Sequence, residues 1–505
     1  MSIGIVGRAM SMTLIGISAQ PVLIEAVILP GLPRCSIVGL PDTAVNEARE
    51  RLRASFSQVG LPWPQERLTI NLSPGALPKT GTGLDLGLAI AILCAQGYRP
   101  LTKRAMAIGE LGLDGSIRPV PGVLPSVVAA KENGLETVLV PQENAHEAQL
   151  VEGVNVVPVA GLRQIAQWME TGIPQFDSPG KNSLALPAKM PDQRLDMAEV
   201  YGQESALIAT EVAVAGGHHM LMLGSPGVGK SMIAQRIPTV MPDLSADEAI
   251  EVAIIQSVQG QSCTALNFRP PLASPHHTTS VAALIGGGST IARPGAITAA
   301  HNGILFCDEF AEFSPRAIQA LREPLETGYI DIARSSARVR FPARFQLIAA
   351  ANPCKCGKAL DGSGACQCTS RDLRSYQSRL GGPVRDRIDV VISLNRPTKA
   401  DLNMGSTTTS ARMRAKIECA QQRQYERQNV RNSQLSGSWL REHTTLSNAI
   451  STLFDNRLRM GQLSMRGMDR ILKLAWSVAD INEHAHPTDD DVALAFSLRT
   501  NIEET

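Results

Sequence analysis

The chain has 505 residues, 44% of them hydrophobic and only 4% aromatic, with 48 Lys and Arg set against 47 Asp and Glu. That length predicts roughly three domains. The apolar content excludes disorder as the main state, and the near-zero charge argues against a protein that coats a polyanion along its whole surface.

Met1 to Met12 carry Arg8 but no long apolar core and no cleavage site, so no signal peptide is read. No apolar run approaches the roughly 18–20 residues of a membrane helix. The expectation is a cytoplasmic protein without membrane contact. Residues 1–172 alternate apolar β-rich runs (Val22–Leu29, Cys35–Val38, Leu68–Leu72, Thr137–Val140) with helical patterns (Thr43–Val59, Leu84–Ala95, Leu124–Glu132). With 13 basic and 14 acidic residues, this reads as a neutral α/β domain. Residues 173–193 hold Pro174, Pro179, Pro187 and Pro191 among small and polar residues, which suits a linker. Residues 194–396 repeat helix, strand and Gly-rich loop, the pattern of a parallel sheet covered by helices. Residues 397–505 are mostly helical, and Met468, Ile471, Leu472, Ala475 and Val478 share one helix face.

Within the second region, Gly224-Ser225-Pro226-Gly227-Val228-Gly229-Lys230-Ser231 fits G-x-x-x-x-G-K-[ST] at every fixed position. It follows the apolar run His219–Leu223 and precedes a helical pattern from Met232. Such glycines let backbone N–H groups close on phosphate oxygens, and a helix N-terminus adds favourable potential. Lys230 would reach the β and γ phosphates, and the Ser231 hydroxyl would ligate Mg²⁺. A Gly-rich turn without a ligand is the alternative. About 80 residues later, Gly303–Glu309 is an apolar strand ending in two acids. Asp308 would hold Mg²⁺ and Glu309 would polarise the attacking water as general base. A solvated strand end is the plainer reading of those acids alone. A third apolar strand, Phe345–Ala351, leads to Asn352, whose amide can orient water and sense the γ-phosphate; Asn at a strand end also simply favours a turn. Arg379, Arg385 and Arg387 could stabilise transition-state charge in a neighbouring subunit, and Arg466 could act from the helical region. For each arginine alone, a surface ion pair is the default.

From Arg334 to Arg387 there are 11 Lys and Arg and three acids, a net of +8 over 54 residues. Such a stretch suits phosphate contact. Tyr329–Arg340 reads as strand, polar turn and strand, a hairpin on which Arg334 or Arg338 would touch DNA backbone. Gly286-Gly287-Gly288 to Arg293 offers a second loop able to approach a strand of DNA closely. A solvated loop is the alternative for both. Of nine cysteines, five are scattered and read as free thiols. Cys354, Cys356, Cys366 and Cys368 are clustered and offer four thiolates to a structural Zn²⁺, although one residue between paired cysteines is fewer than usual. His276 and His277 read as loop or phosphate contacts.

Together these residues resemble the magnesium-chelatase-like AAA+ ATPases, and within them the ComM/YifB family. Further matching stretches are Ser36–Thr43, Pro275-His276-His277, Pro294-Gly295, Ala300–Gly303, Asn352–Cys354 and Asp386–Asp389. The resemblance implies an AAA+ parallel sheet with a helical lid, preceded by an α/β Lon-like domain. It implies a homo-hexamer that hydrolyses ATP with Mg²⁺ between subunits. It further implies helicase action migrating DNA branches when single-stranded DNA is recombined during natural transformation, together with recombination proteins. In the family pattern Asp308 and Glu309 form the Walker B pair, and Asn352 is sensor one. Arg387 is the trans-acting finger and Arg466 sensor two, while Val200-Tyr201-Gly202-Gln203 falls where the fold begins near the adenine. The N-terminal region resembles the Lon protease domain, but Gly83 stands where that family has its serine and Ser126 where it has its lysine. Without nucleophile and base, peptide hydrolysis there has no chemistry, so residues 1–172 read as a scaffold or DNA-facing ring. The rival is a chelatase-like ATPase subunit driving metal insertion or remodelling a partner protein. A non-catalytic DNA-binding module is argued against by the intact nucleotide motifs.

Overall fold

The computed structural model describes residues 5–102, 104–173, 195–261, 263–288, 292–334, 338–359, 365–380, 384–398, 401 and 408–500. The Pro-rich stretch read as a linker lies, apart from Ile173, outside the described residues. Among the described residues no helix is long and apolar enough to cross a membrane.

The N-terminal region is built on a seven-stranded mixed sheet. Its strand order is Arg34–Val38, Arg67–Ser73, Ser18–Leu29, Val6–Ile15, Ala105–Ala107, Thr137–Pro141 and Asn155–Val159. Val6–Ile15 is a strand that the sequence pattern did not offer. Gly7, Arg8, Ser11 and Thr13 interrupt its apolar run, and pairing with Ser18–Leu29 along its whole length makes it one. The helix Asp85–Ala95 is buried on every side. It lies so close to the sheet that a Cβ on Gly87 would stand 2.8 Å from Ile24 Cδ1, and one on Gly7 only 2.1 Å from the Ala91 carbonyl. Its first residue, Asp85, is buried and paired with Arg51 at 2.7 Å. Burial pushes the Asp85 carboxyl up, against the pull of Arg51.

The second region holds five parallel strands in the order Leu272–Ala273, Gly303–Cys307, Phe345–Ala351, Met220–Gly224 and Val390–Leu394. The inner strands are buried and, apart from Gln346, apolar, because helices cover both faces. In such sheets ligands bind beyond the carboxyl ends of the strands. Gly224, Cys307 and Ala351 all end there.

A helical lid follows: Ser410–Gln428, Gly437–His443, Asn448–Arg459, Met465–Ile481 and Asp489–Thr500. Ile471, Leu472, Ala475 and Val478 are buried and Met468 packs beside them, as the periodicity predicts. Lid and sheet are joined by a buried polar network. His218 Nδ1 lies 3.2 Å from Asp389 and its Nε2 2.8 Å from Ser477 Oγ, while Arg470 reaches Asp389 at 3.1 Å. Asp389 is held well below the ordinary carboxylate range, the hydrogen bond from His218 and its charge neighbours outweighing burial.

This network carries a pH prediction. His219 Nδ1 accepts from the Leu347 N–H at 3.0 Å, so the ring is held neutral, and burial pushes its pKa down to about 4. Asp389, His218 and Arg470 face it. The unfolded chain takes up that proton near pH 6.5 and the folded chain only near pH 4. Stability is therefore intact above pH 6.5 and is lost as pH falls toward 4, by about 3 kcal/mol in all. Urea unfolding at pH 7 and pH 5 should cost the wild type about 2 kcal/mol more than His219→Gln, which keeps an acceptor for Leu347 but does not titrate. Equal losses in both proteins would refute the assignment.

The N-terminal and second regions touch through helices, Val123–Glu132 of the first against Ala246–Val258 of the second. Gly122 N–H donates to the Ser257 carbonyl at 3.0 Å, and Leu124 N–H to Ser257 Oγ at 3.3 Å. Between them lies a cavity of about 1050 Å³ lined in part by Asp42, Thr80 to Gly83, Pro121, Gln259 and Arg293.

Candidate nucleotide site and its surroundings

Gly224 ends a sheet strand and Lys230 opens the helix Lys230–Val240, so residues 224–229 form the turn between them. Gly227 and Gly229 have φ of +81° and +100°, a backbone that side chains resist. A Cβ on Gly227 would meet nothing within 4 Å, so the loop faces open space. The Lys230 side chain is buried and donates to the Gly224 and Ser225 carbonyls, the latter at 3.0 Å, and to Asn352 Oδ1 at 3.2 Å. Burial pushes its pKa down, while Asp308 and Glu309 pull it up. A buried ammonium bonded only to uncharged oxygens, beside an open nest of backbone amides, fits an anionic phosphate chain.

Ser231 Oγ donates to Asp308 Oδ2 at 2.6 Å. This hydroxyl and carboxylate are the hard oxygen donors that Mg²⁺ takes. Glu309 sits at φ +51°, with its amide donating to Asp308 Oδ1 at 2.9 Å. That turn swings its carboxylate out to His277, whose Nδ1 lies 2.8 Å from Glu309 Oε2. No partner of His277 is legible in the sequence, because 32 residues separate it from Glu309 and only tertiary packing joins them. His276 stacks beside it, ring centroids 4.1 Å apart.

Lys230, Ser231, Asp308, Glu309 and Asn352 therefore come together. Beside the loop, buried Gln203 bonds the Asn395 carbonyl at 2.6 Å and the Val228 carbonyl at 3.4 Å. Tyr201 is exposed, and Gly202 has φ +63° with Asp401 beside it. The contact from this segment to the loop thus runs through Gln203. Arg387 lies in a short turn, Arg385–Arg387, with its guanidinium paired to Glu326 of the same chain. Arg466 is exposed in the first turn of the helix Met465–Ile481, while Arg470 of the same helix reaches Asp389 beside the sheet.

Five of the eleven basic residues in the stretch are paired within the chain. Arg338 and Arg340 both bond Asp331, Arg344 bonds Glu251, Arg379 lies 3.8 Å from Glu312, and Arg387 has Glu326. Tyr329–Ala333 and Arg338–Pro342 do form the expected hairpin, with Arg334 and Arg338 exposed at the end where the two strands connect. Gly286 departs from expectation. It is buried, and a Cβ there would lie 2.6 Å from the Arg293 carbonyl and 3.1 Å from Ile332 Cδ1. Its close approach is to its own chain, which removes it as a DNA contact. Gly287 pairs with Arg293 in the same short ribbon, and exposed Gly288 lines the cavity between the sheets with Arg293. The Ala300–Gly303 motif is likewise structural. His301 and Asn302 bond Glu251 at 3.0 and 2.8 Å, and Gly303 leaves no room for a Cβ beside Pro271.

The four clustered sulfurs lie within 4.8 Å of one another, close enough for one metal ion to take all four. In the N-terminal region, Ser126 is buried and donates to the Gly122 carbonyl at 2.7 Å, one turn back in its own helix.

Residues 196–402 match the family described as "Magnesium chelatase, subunit ChlI". Residues 24–144 match "Subunit ChlI of Mg-chelatase", and residues 407–499 its C-terminal part. The chain is 43% identical over 503 residues to an uncharacterized protein of Mycobacterium tuberculosis, covering 98% of each. It is 36% identical over 494 residues to YifB of Escherichia coli (96% of this chain, 95% of the other). It is 35% identical over 517 residues to the competence protein ComM of Haemophilus influenzae (99% and 98%). The N-terminal part is similar to Lon protease of Rhizobium meliloti, 26% identical over 187 residues, 34% of this chain and 23% of the other. The chain, with its parallel P-loop sheet, helical lid and Lon-like N-terminal region, belongs to the YifB/ComM family of magnesium-chelatase-like AAA+ proteins.

Proposed function

We propose that this protein is an ATP hydrolase that assembles as a hexameric ring and migrates branches in DNA recombination intermediates. The observation that carries the reading is the constellation at the strand ends, where Lys230 touches Asn352 at 3.2 Å and Ser231 touches Asp308 at 2.6 Å. Full-length similarity to a competence protein favours DNA as the polymer acted on.

The amides of residues 224–229 and the Lys230 ammonium bind and orient the phosphates, Lys230 exchanging its carbonyl partners for phosphate oxygens. Mg²⁺, when bound with nucleotide, neutralises the charge on the β and γ oxygens. Ser231 and Asp308 would hold it, giving up their hydrogen bond to each other. Glu309 takes a proton from the attacking water once its carboxylate leaves His277, and Asn352 orients that water. Arg387 from the next subunit meets the transition-state charge. Arg466 supports the nucleotide from the lid, and Tyr201 and Gly202 flank the adenine. Arg334, Arg338, Gly287, Gly288 and Arg293 are the DNA contacts in this reading. Residues 1–172, 173–193, 194–396 and 397–505 act as ring scaffold, linker, motor core and lid, in the cytoplasm.

The match to magnesium chelatase favours one rival, an ATPase subunit that drives metal insertion or remodels a partner protein. ATP turnover measured with and without single-stranded DNA decides between them. Several-fold stimulation by DNA, with movement of a branched junction, supports the motor. Turnover indifferent to DNA and raised only by a protein partner supports the rival.

A further inference from the structure

The loop after Asn352 places four thiols in one small volume. Cys354 Sγ lies 3.3 Å from Cys356 Sγ and 3.8 Å from Cys366 Sγ, and the Cys356 and Cys366 sulfurs are 3.6 Å apart. Four sulfurs bound at about 2.3 Å around a tetrahedral zinc ion stand about 3.8 Å from one another. The observed spacing is thus that of ligands sharing a single ion. An iron–sulfur cluster, whose cysteines bind different iron atoms, needs its thiolates spread more widely. The backbone supports the same arrangement, since the amides of Lys358 and Gln367 both bond Cys356 Sγ. Amide-to-sulfur bonds of this kind are the outer shell that orients thiolate ligands.

The cluster is also built into the nucleotide site on three sides. Cys354 is fully buried and stands two residues after Asn352, the residue that touches Lys230. Gly357 (φ +76°) lies against the phosphate loop so closely that a Cβ on it would come within 2.7 Å of Pro226 Cδ. The helix Ser370–Leu380, which begins two residues after Cys368, carries buried Tyr376, hydrogen-bonded to the Asn352 backbone. Three residues further on, Arg379 faces Glu312 in the turn that follows Glu309.

We propose that Cys354, Cys356, Cys366 and Cys368 hold one tetrahedral zinc ion, and that this ion fixes Asn352 and Pro226 and so sets the rate of ATP turnover. The second half rests on reading this loop as an ATP site; the metal site stands on its own geometry. Without the ion, four adjacent thiols have nothing to draw them together, and the link between Asn352 and the phosphate loop loosens.

The test uses the full-length protein purified from zinc-supplied cells. Elemental analysis should find one zinc per chain, with no visible absorbance and with the four thiols protected from a thiol reagent under native conditions. Cys356→Ser and Cys368→Ser should lose the zinc and slow ATP turnover about tenfold or more, because small misplacements of positioning groups are costly. Gly357→Ala keeps every ligand; it should keep the zinc yet slow turnover through its clash with Pro226, and it answers if the serine variants do not fold. A metal-free, fully active wild type with four reactive thiols overturns the site, and bound iron overturns the choice of zinc. Metal-free variants that turn over at the wild-type rate overturn the coupling. A zinc-loaded wild type that hydrolyses no ATP overturns the coupling together with the ATP reading, and leaves the metal site supported.

Discussion

Glu309→Gln should bind ATP as the wild type does and turn it over about 10²–10⁴-fold more slowly. The substitution removes a proton acceptor and little else. The strained turn at φ +51° is set by the backbone, and its amide bond to Asp308 is untouched. The Gln amide oxygen can still face His277 Nδ1, where the carboxylate now sits at 2.8 Å. Lys230 keeps its bonds to the loop carbonyls and Ser231 its bond to Asp308, so phosphate binding is preserved. Phosphate release at saturating ATP, read beside titration with a fluorescent nucleotide, separates the two effects. Wild-type turnover in this variant would assign the base elsewhere.

Arg387→Ala should lower turnover by about 10³-fold or more while each subunit still binds nucleotide, the range over which arginine fingers act. In the single chain its guanidinium rests on Glu326, 61 residues away in sequence. That pairing holds the side chain ready, and the carboxylate must share it with a neighbour's phosphate when the ring closes. A merely structural role would show as a lowered melting temperature with proportionate loss of binding. The finger shows as lost turnover with binding and melting kept.

Much of this site could be read from the chain because phosphate loops are local. Gly227, Gly229, Lys230 and Ser231 owe their geometry to a few consecutive residues, so their spacing alone carries the chemistry. Asp308 and Glu309 were legible for the same reason, as the end of an unbroken apolar strand. What escaped was non-local. His277 meets Glu309 only after the strand and its flanking loop have packed. The contact of Gln203, though not its place near the nucleotide, needs the fold to bring it to Val228, and Asp389 works with His218 and Arg470. Charge counting is incomplete for a related reason: five cations of the +8 stretch meet Asp331, Glu251, Glu312 and Glu326, three of these acids outside it by more than a few residues. Gly286 looked like an opening for DNA because a glycine's reason for being small is invisible until its neighbours, here Arg293 and Ile332, are in place.

The shared nucleotide site is tested most directly by mixing the two variants. Glu309→Gln subunits lack the base but supply Arg387; Arg387→Ala subunits lack the finger but keep Glu309. In a randomly mixed ring of head-to-tail contacts, roughly a quarter of the interfaces pair an intact base with an intact arginine. Phosphate release from the equal mixture should rise well above that of either variant alone. A mixture no more active than its two inactive components would place Arg387 in its own subunit's site, or in none, and would contradict the account.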